Sequence, residues 1–187
     1  MYQEDLLYYR KAKIHIFFKV ITLSHERLIY AISIILITLM ASAQCQPAAG
    51  DWFNEGKALA NQSNYADAVI AFNKAVEINP QYIDAWLRKG EALYAQKKYS
   101  AAIEVFNRAI EIDPQDAEAW LNKGKTLYAM GTRESYKMAI EAFNKAIEID
   151  RQNGETWFFK SKTLESLGDP KGKAAALAMA EEMGYTS

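Results

Sequence analysis

The sequence predicts an all-α solenoid of stacked helix–turn–helix pairs, preceded by an apolar N-terminal helix. Trp52, Trp86 and Trp120 are each 34 residues apart, and so are Gly56, Gly90 and Gly124. DWFNEGKALANQSNYADAVIAFNKAVEINP (Asp51 to Pro80) matches AWLRKGEALYAQKKYSAAIEVFNRAIEIDP (Ala85 to Pro114), and a third copy begins at Ala119. A period of this length, with Trp and Gly in the first half and Ala, Phe and Ala in the second, marks a helical repeat array. Ahead of the repeats, Leu28 to Ala43 reads LIYAISIILITLMASA, without a charge.

Taken in order, residues 1–48 form the first region. Arg10, Lys11, Lys13, Lys19 and Arg27 outnumber Glu4, Asp5 and Glu26 before the apolar run. A positive flank of this kind keeps the N-terminus in the cytoplasm and places the chain beyond the apolar run outside. Ala41-Ser42-Ala43 offers the small residues that a signal peptidase reads, so cleavage before Gln44 is one reading and an uncleaved anchor through residues 28–43 the other. A second apolar run, Ile14 to Leu23, and a long polar lead-in fit a simple signal peptide poorly. A helix docked on the repeats is a third reading; an apolar stretch without a polar stripe disfavours it. Cys45 is the only cysteine, so no intrachain disulfide forms, and Gln44 before it departs from a lipid-attachment motif. Gln46-Pro47-Ala48-Ala49-Gly50 reads as a short linker.

Residues 49–187 form the second region, and they resemble the tetratricopeptide repeat (TPR) family. Trp52, Gly56, Ala68, Phe72, Ala75 and Pro80 occupy the signature positions of a repeat over 49–82. Trp86, Gly90, Ala102, Phe106, Ala109 and Pro114 do so over 83–116. The repeat over 117–153 has Trp120, Gly124, Ala139, Phe143 and Ala146, with Arg151 in place of proline. The fourth, 154–187, is degenerate: Ser161 replaces Gly, Lys173 replaces Ala, Leu177 replaces Phe and Tyr185 replaces Pro, while Trp157 and Ala180 remain. The resemblance implies about four antiparallel pairs of helices, A and B, in a right-handed superhelix.

Within each pair, small residues let the two backbones approach, and Trp and Phe are expected in the core beside them. Pro80 and Pro114 are expected to stop helix B, since proline lacks an amide donor and biases its predecessor away from helix. Tyr136 falls three residues late, so Gly131 to Ser135 is expected to lengthen the third A–B loop. Asp169-Pro170 is a helix start. The charged last helix, with Lys171, Lys173, Glu181 and Glu182, reads as the polar cap that such arrays need.

The resemblance also implies a ligand groove lined by the A helices. At its sixth positions stand Asn54, Arg88, Asn122 and Phe159, at its ninth Lys57, Glu91, Lys125 and Lys162, and at its twelfth Tyr94 and Tyr128. Amides, alternating charges and tyrosines suit an extended peptide; a solvated face with no ligand is the bland alternative. The carboxylate clamp of chaperone-binding relatives is not expected. It wants Lys and Asn where Phe53 and Lys57 stand, and a lysine where Glu118 stands.

Composition narrows the function classes. With 22 basic and 23 acidic residues the net charge is −1, which argues against a general nucleic-acid binder. From Asp51 onward there is no His and no Cys, and no phosphate loop or metal-ligand cluster appears. An enzyme, a cofactor, a bound metal or a small-molecule substrate is therefore not expected. Three readings stay open: a protein- or peptide-binding scaffold exported or anchored outside the cytoplasm, a self-assembling structural subunit, and a cytoplasmic adaptor.

Overall fold

The computed structural model describes residues 29, 30, 32–34 and 47–185. The chain divides into two units, Met1–Gln46 and Pro47–Ser187. In the first unit residues 29, 30 and 32–34 are helical, and Ser33 Oγ donates to the Ile29 carbonyl at 2.6 Å. The rest of the predicted apolar helix, the second apolar run, the cleavage site and Cys45 lie outside the described residues. Among the described residues no helix is long and apolar enough to cross a membrane.

Among its described residues the regular structure of the second unit is all helix: α1 (Ala49–Asn61), α2 (Tyr65–Ile78), α3 (Ile83–Ala95), α4 (Tyr99–Ile112), α5 (Ala117–Met130), α6 (Arg133–Ile149), α7 (Gly154–Leu167) and α8 (Pro170–Glu182). Every helix packs on its neighbours in the chain. Beyond that, only the first helices of successive pairs touch: α1 with α3, α3 with α5, α5 with α7. First helices approach one another and second helices do not, so the stack curves with α1, α3, α5 and α7 inside.

Glycine and phenylalanine set the spacing within a pair. A Cβ built on Gly56 would lie 2.5 Å from Phe72, one on Gly90 2.5 Å from Phe106, and one on Gly124 would strike Phe143 as hard. The three phenylalanines are at most 1% exposed, and Ala68, Ala75, Ala102, Ala109 and Ala139 are fully buried around them. In the fourth pair the two positions change together: Ser161 is buried and donates to the Phe158 carbonyl at 2.7 Å, and the smaller, half-buried Leu177 stands on α8. The Tyr185 ring lies 4.9 Å from that of Phe158 and its Cβ sits close over Gly154, closing the end of the stack.

The tryptophans differ from their expected place. Each is half-buried, and Trp52, Trp86 and Trp120 pack against the core rather than within it. Their indole N–H groups give the reason. Trp86 Nε1 donates to the Pro80 carbonyl at 2.9 Å, Trp120 to Pro114 at 3.1 Å and Trp157 to Arg151 at 3.0 Å. A buried indole needs an acceptor, and here the turn between repeats supplies it. The outer faces carry lysines: Lys89, Lys123 and Lys160 stand about 5 Å over Trp86, Trp120 and Trp157.

The second helices end before Pro80 and Pro114 as expected, but proline is not required for the stop. α6 ends at Ile149 before Arg151, as α4 ends at Ile112 before Pro114, and Asp113 and Asp150 have nearly equal backbone angles (φ −133° and −128°). The shared feature is an Asx turn. Asn79, Asp113 and Asp150 each accept from the amide two residues on, at Gln81 (3.1 Å), Gln115 (2.9 Å) and Gln152 (2.9 Å).

The third repeat's extra residues also fall differently than expected. They extend the helices, and the loop is only Gly131-Thr132, shorter than the three-residue turns before it. Gly131 takes φ +74°; Ser63 and Lys97 hold φ +60° and +59° in the first two turns. Thr132 and the buried Ser135 form a capping box that starts α6 a turn early. Tyr136 still packs on Tyr128 at 5.7 Å, as Tyr99 packs on Tyr94 at 5.6 Å.

Candidate functional site

The residues that the repeat positions single out all stand on the first helices, α1, α3, α5 and α7, exposed or half-buried. Most are engaged with one another. Arg88 holds both carboxylate oxygens of Glu91 at 2.8 Å and lies 3.5 Å from Glu118 on the next first helix. Asn122 reaches back to Glu91 at 3.4 Å, and Lys125 bonds Glu155 on α7 at 2.7 Å. Three of these contacts therefore join the first helix of one repeat to that of the next. Arg88 is a paired charge, with side chain 41% exposed. Its bond to Glu91 raises its pKa against the burial that lowers it. Burial pushes the Glu118 carboxyl up, and Arg88 only partly offsets this.

The ends of the face differ from its middle. Asn54 and Lys57 are exposed on α1, and Lys57 Nζ stands 4.7 Å over Phe53. Phe53 itself is buried against Phe72 and Tyr82, so the fifth position of the first repeat faces the core. Lys162 is exposed at the other end, 5.5 Å over Phe158. Phe159 is half-buried, with its ring 6.3 Å from Tyr128 and 6.4 Å from Phe143. It wedges between the third and fourth repeats, and Lys125 caps it at 5.0 Å. Tyr94 is 37% exposed and Tyr128 half-buried.

Two residues of the face were not singled out from sequence as groove residues: Glu155, and Glu118 beyond its place in the clamp comparison. Both stand at the second position of their repeats. Two gaps open between successive first helices. One of about 500 Å³ is lined by Lys57, Ala60, Asn61, Tyr65, Arg88 and Glu91 among others. The next, of about 210 Å³, is lined by Glu91, Tyr94, Asn122, Lys125 and Thr126 over Phe106. Among the described residues no group of three His, Cys, Asp or Glu side chains is placed to hold a metal ion. The arrangement offers hydrogen-bonding groups and apolar gaps along a shallow curved face.

Comparison with known proteins gives the same architecture. Models of the tetratricopeptide repeat match residues 49–82 and 117–153, and a TPR repeat model matches 90–131, together more than half of the chain. No curated protein matches. Among solved structures, a crystal structure of MamA is 23% identical with a TM-score of 0.67, over 73% of this chain and 78% of that one. MamA from residue 41 to the end, from Desulfovibrio magneticus RS-1, is 26% identical with a TM-score of 0.66, over 73% and 75%. The first TPR domain of Spaghetti (RPAP3), bound to the HSP90 peptide SRMEEVD, is 18% identical with a TM-score of 0.61, over 64% and 93%.

Proposed function

Because the chain belongs to the tetratricopeptide repeat family, we propose that it is a non-catalytic scaffold that binds an extended segment of a partner protein along its inner face. The observation that carries this reading is the convergence of Arg88, Asn122, Lys125 and Tyr128 on one face, with gaps on either side of α3. A repeat domain of the same architecture holds a peptide in the RPAP3 complex. The clamp that would fix a terminal carboxylate lacks its lysine at Phe53 and meets Glu118 instead, so the partner presents an internal segment.

We place the repeats outside the cytoplasmic membrane, on the positive flank before Leu28–Ala43. A reporter active only inside the cell, fused after Ser187, tests this; full activity in intact cells rules it out. Binding is tested by Asn122→Ala and Arg88→Ala against peptides selected on the wild-type chain. Both variants keep wild-type helicity, since surface ion pairs contribute only about 0–1 kcal/mol, and both weaken binding. Unchanged binding in both overturns the groove.

A further inference from the structure

The two gaps occupy equivalent places in successive repeats, and among the residues that differ between their linings one changes from aromatic to small: Tyr94 in the second against Ala60 in the first. Between α3 and α5 the twelfth residue is Tyr94, whose ring packs on Tyr99 at 5.6 Å, and the gap encloses about 210 Å³. In the third repeat Tyr128 packs on Tyr136 in the same way, at 5.7 Å. In the first repeat the twelfth residue is Ala60. Its partner is kept: Tyr65 stands where Tyr99 and Tyr136 stand, and it lines a gap of about 500 Å³. Among the described residues no second ring packs on Tyr65. The second and third repeats thus share an aromatic pair, the fourth has Glu165 and Pro170 in its place, and the first keeps one member and leaves space where the other would stand.

We propose that this space is an aromatic slot. The partner segment inserts one aromatic side chain between α1 and α3, where it takes the place against Tyr65 that the protein's own tyrosines take against Tyr99 and Tyr136. Ala60, Ala92 and Ala95 line an apolar part of the slot and tolerate a flat ring. Lys57, Asn61 and Arg88 supply donors along its lining, which favours a ring with an acceptor at its tip, a tyrosine before a phenylalanine. Arg88 is already shared with Glu91, so a ring held by contact and one hydrogen bond suits the slot better than a second carboxylate. This inference rests on the groove reading above and adds which side chain is read, and where.

The test is a random heptapeptide display library selected on the full chain, followed by affinities of the selected peptides. The slot predicts enrichment of one aromatic residue, Tyr first. Replacing that residue by Ala in the peptide, and separately Ala60→Tyr in the protein, each weakens binding by about tenfold or more, roughly 1.4 kcal/mol. Ala60→Tyr restores the residue that the next two repeats carry, and the peptide variant leaves the protein untouched, so a folding defect in one cannot mask the result. Peptides selected without aromatic preference, but still weakened by Asn122→Ala, overturn the slot and leave the groove standing. Aromatic peptides indifferent to Ala60→Tyr also overturn the slot. Selection of no peptide that Asn122→Ala or Arg88→Ala weakens overturns both.

Discussion

Changing the contact between Gly90 and Phe106 probes the packing that holds each pair of helices together. A Cβ at Gly90 would lie 2.5 Å from Phe106 Cε1 and 2.6 Å from Cζ. Carbon atoms settle at about 3.5–4.0 Å, so the ring would have to retreat by about 1 Å from a site where it is 1% exposed. Gly90→Ser gains roughly 0.5 kcal/mol of helix propensity and loses about 1–3 kcal/mol to overpacking, a net loss of about 0.5–2.5 kcal/mol. Phe106→Leu leaves a partial void and costs less than the ~3–5 kcal/mol of truncation to Ala. The fourth repeat shows the way out, with Ser161 and Leu177 at the two positions. In the double variant the Leu87 carbonyl can accept the serine hydroxyl, as the Phe158 carbonyl accepts that of Ser161. The combined loss should then fall short of the sum of the single losses by at least about 1 kcal/mol. Urea unfolding of the four proteins, followed by circular dichroism, measures the coupling. Strict additivity, or a Gly90→Ser protein as stable as wild type, would show that close approach at glycine does not set the packing.

Further outcomes are expected at the turns, at a helix cap and at one lysine. Asp113→Ala removes the Asx turn and costs about 0.5–1.5 kcal/mol. Pro114→Ala leaves α4 ending at Ile112, and backbone chemical shifts read the helix end in both. Lys97→Gly relieves a left-handed residue at φ +59° and raises stability by up to about 1 kcal/mol in thermal unfolding; no gain would mean that Lys97 is not strained. Thr132→Ala loses the cap of α6, about 0.5–2 kcal/mol, and speeds amide exchange in its first turn ahead of its last. Burial lowers the Lys123 pKa against the opposing pull of Glu141. Between the lowered native value and the ordinary lysine value the unfolded chain binds more protons, so unfolding free energy rises with pH across that window. Lys123→Met reduces the slope, read as the urea midpoint against pH in the alkaline range.

The groove was legible only as far as a repeat alignment reaches. The face positions could be named only through the family resemblance, which marks the same places in each 34-residue repeat. What they do to one another across repeats could not. Arg88 and Glu91, three residues apart, can pair within α3 itself; only the approach of α3 to α5 brings Glu118 to Arg88 and Asn122 to Glu91. The absent tyrosine at position 60 was visible beside Tyr94 and Tyr128. That it leaves an open gap depends on whether the neighbouring repeat closes over it.

Sequence alone determined the array: the number of pairs, the small residues at which the helices of a pair approach, and the degenerate fourth repeat. These rest on local periodicity and on the size of side chains at fixed spacing. Tertiary structure decided the rest. It showed tryptophans bonded to the turns rather than sunk in the core, Asx turns ending helices with or without proline, and an insertion taken up as helix. Each of these turns on where a polar group finds its partner, six residues back for an indole or two ahead for an Asx oxygen. Hydrophobic period reports which face a residue occupies; it carries no information on which carbonyl or amide lies within hydrogen-bonding distance once the helices have packed.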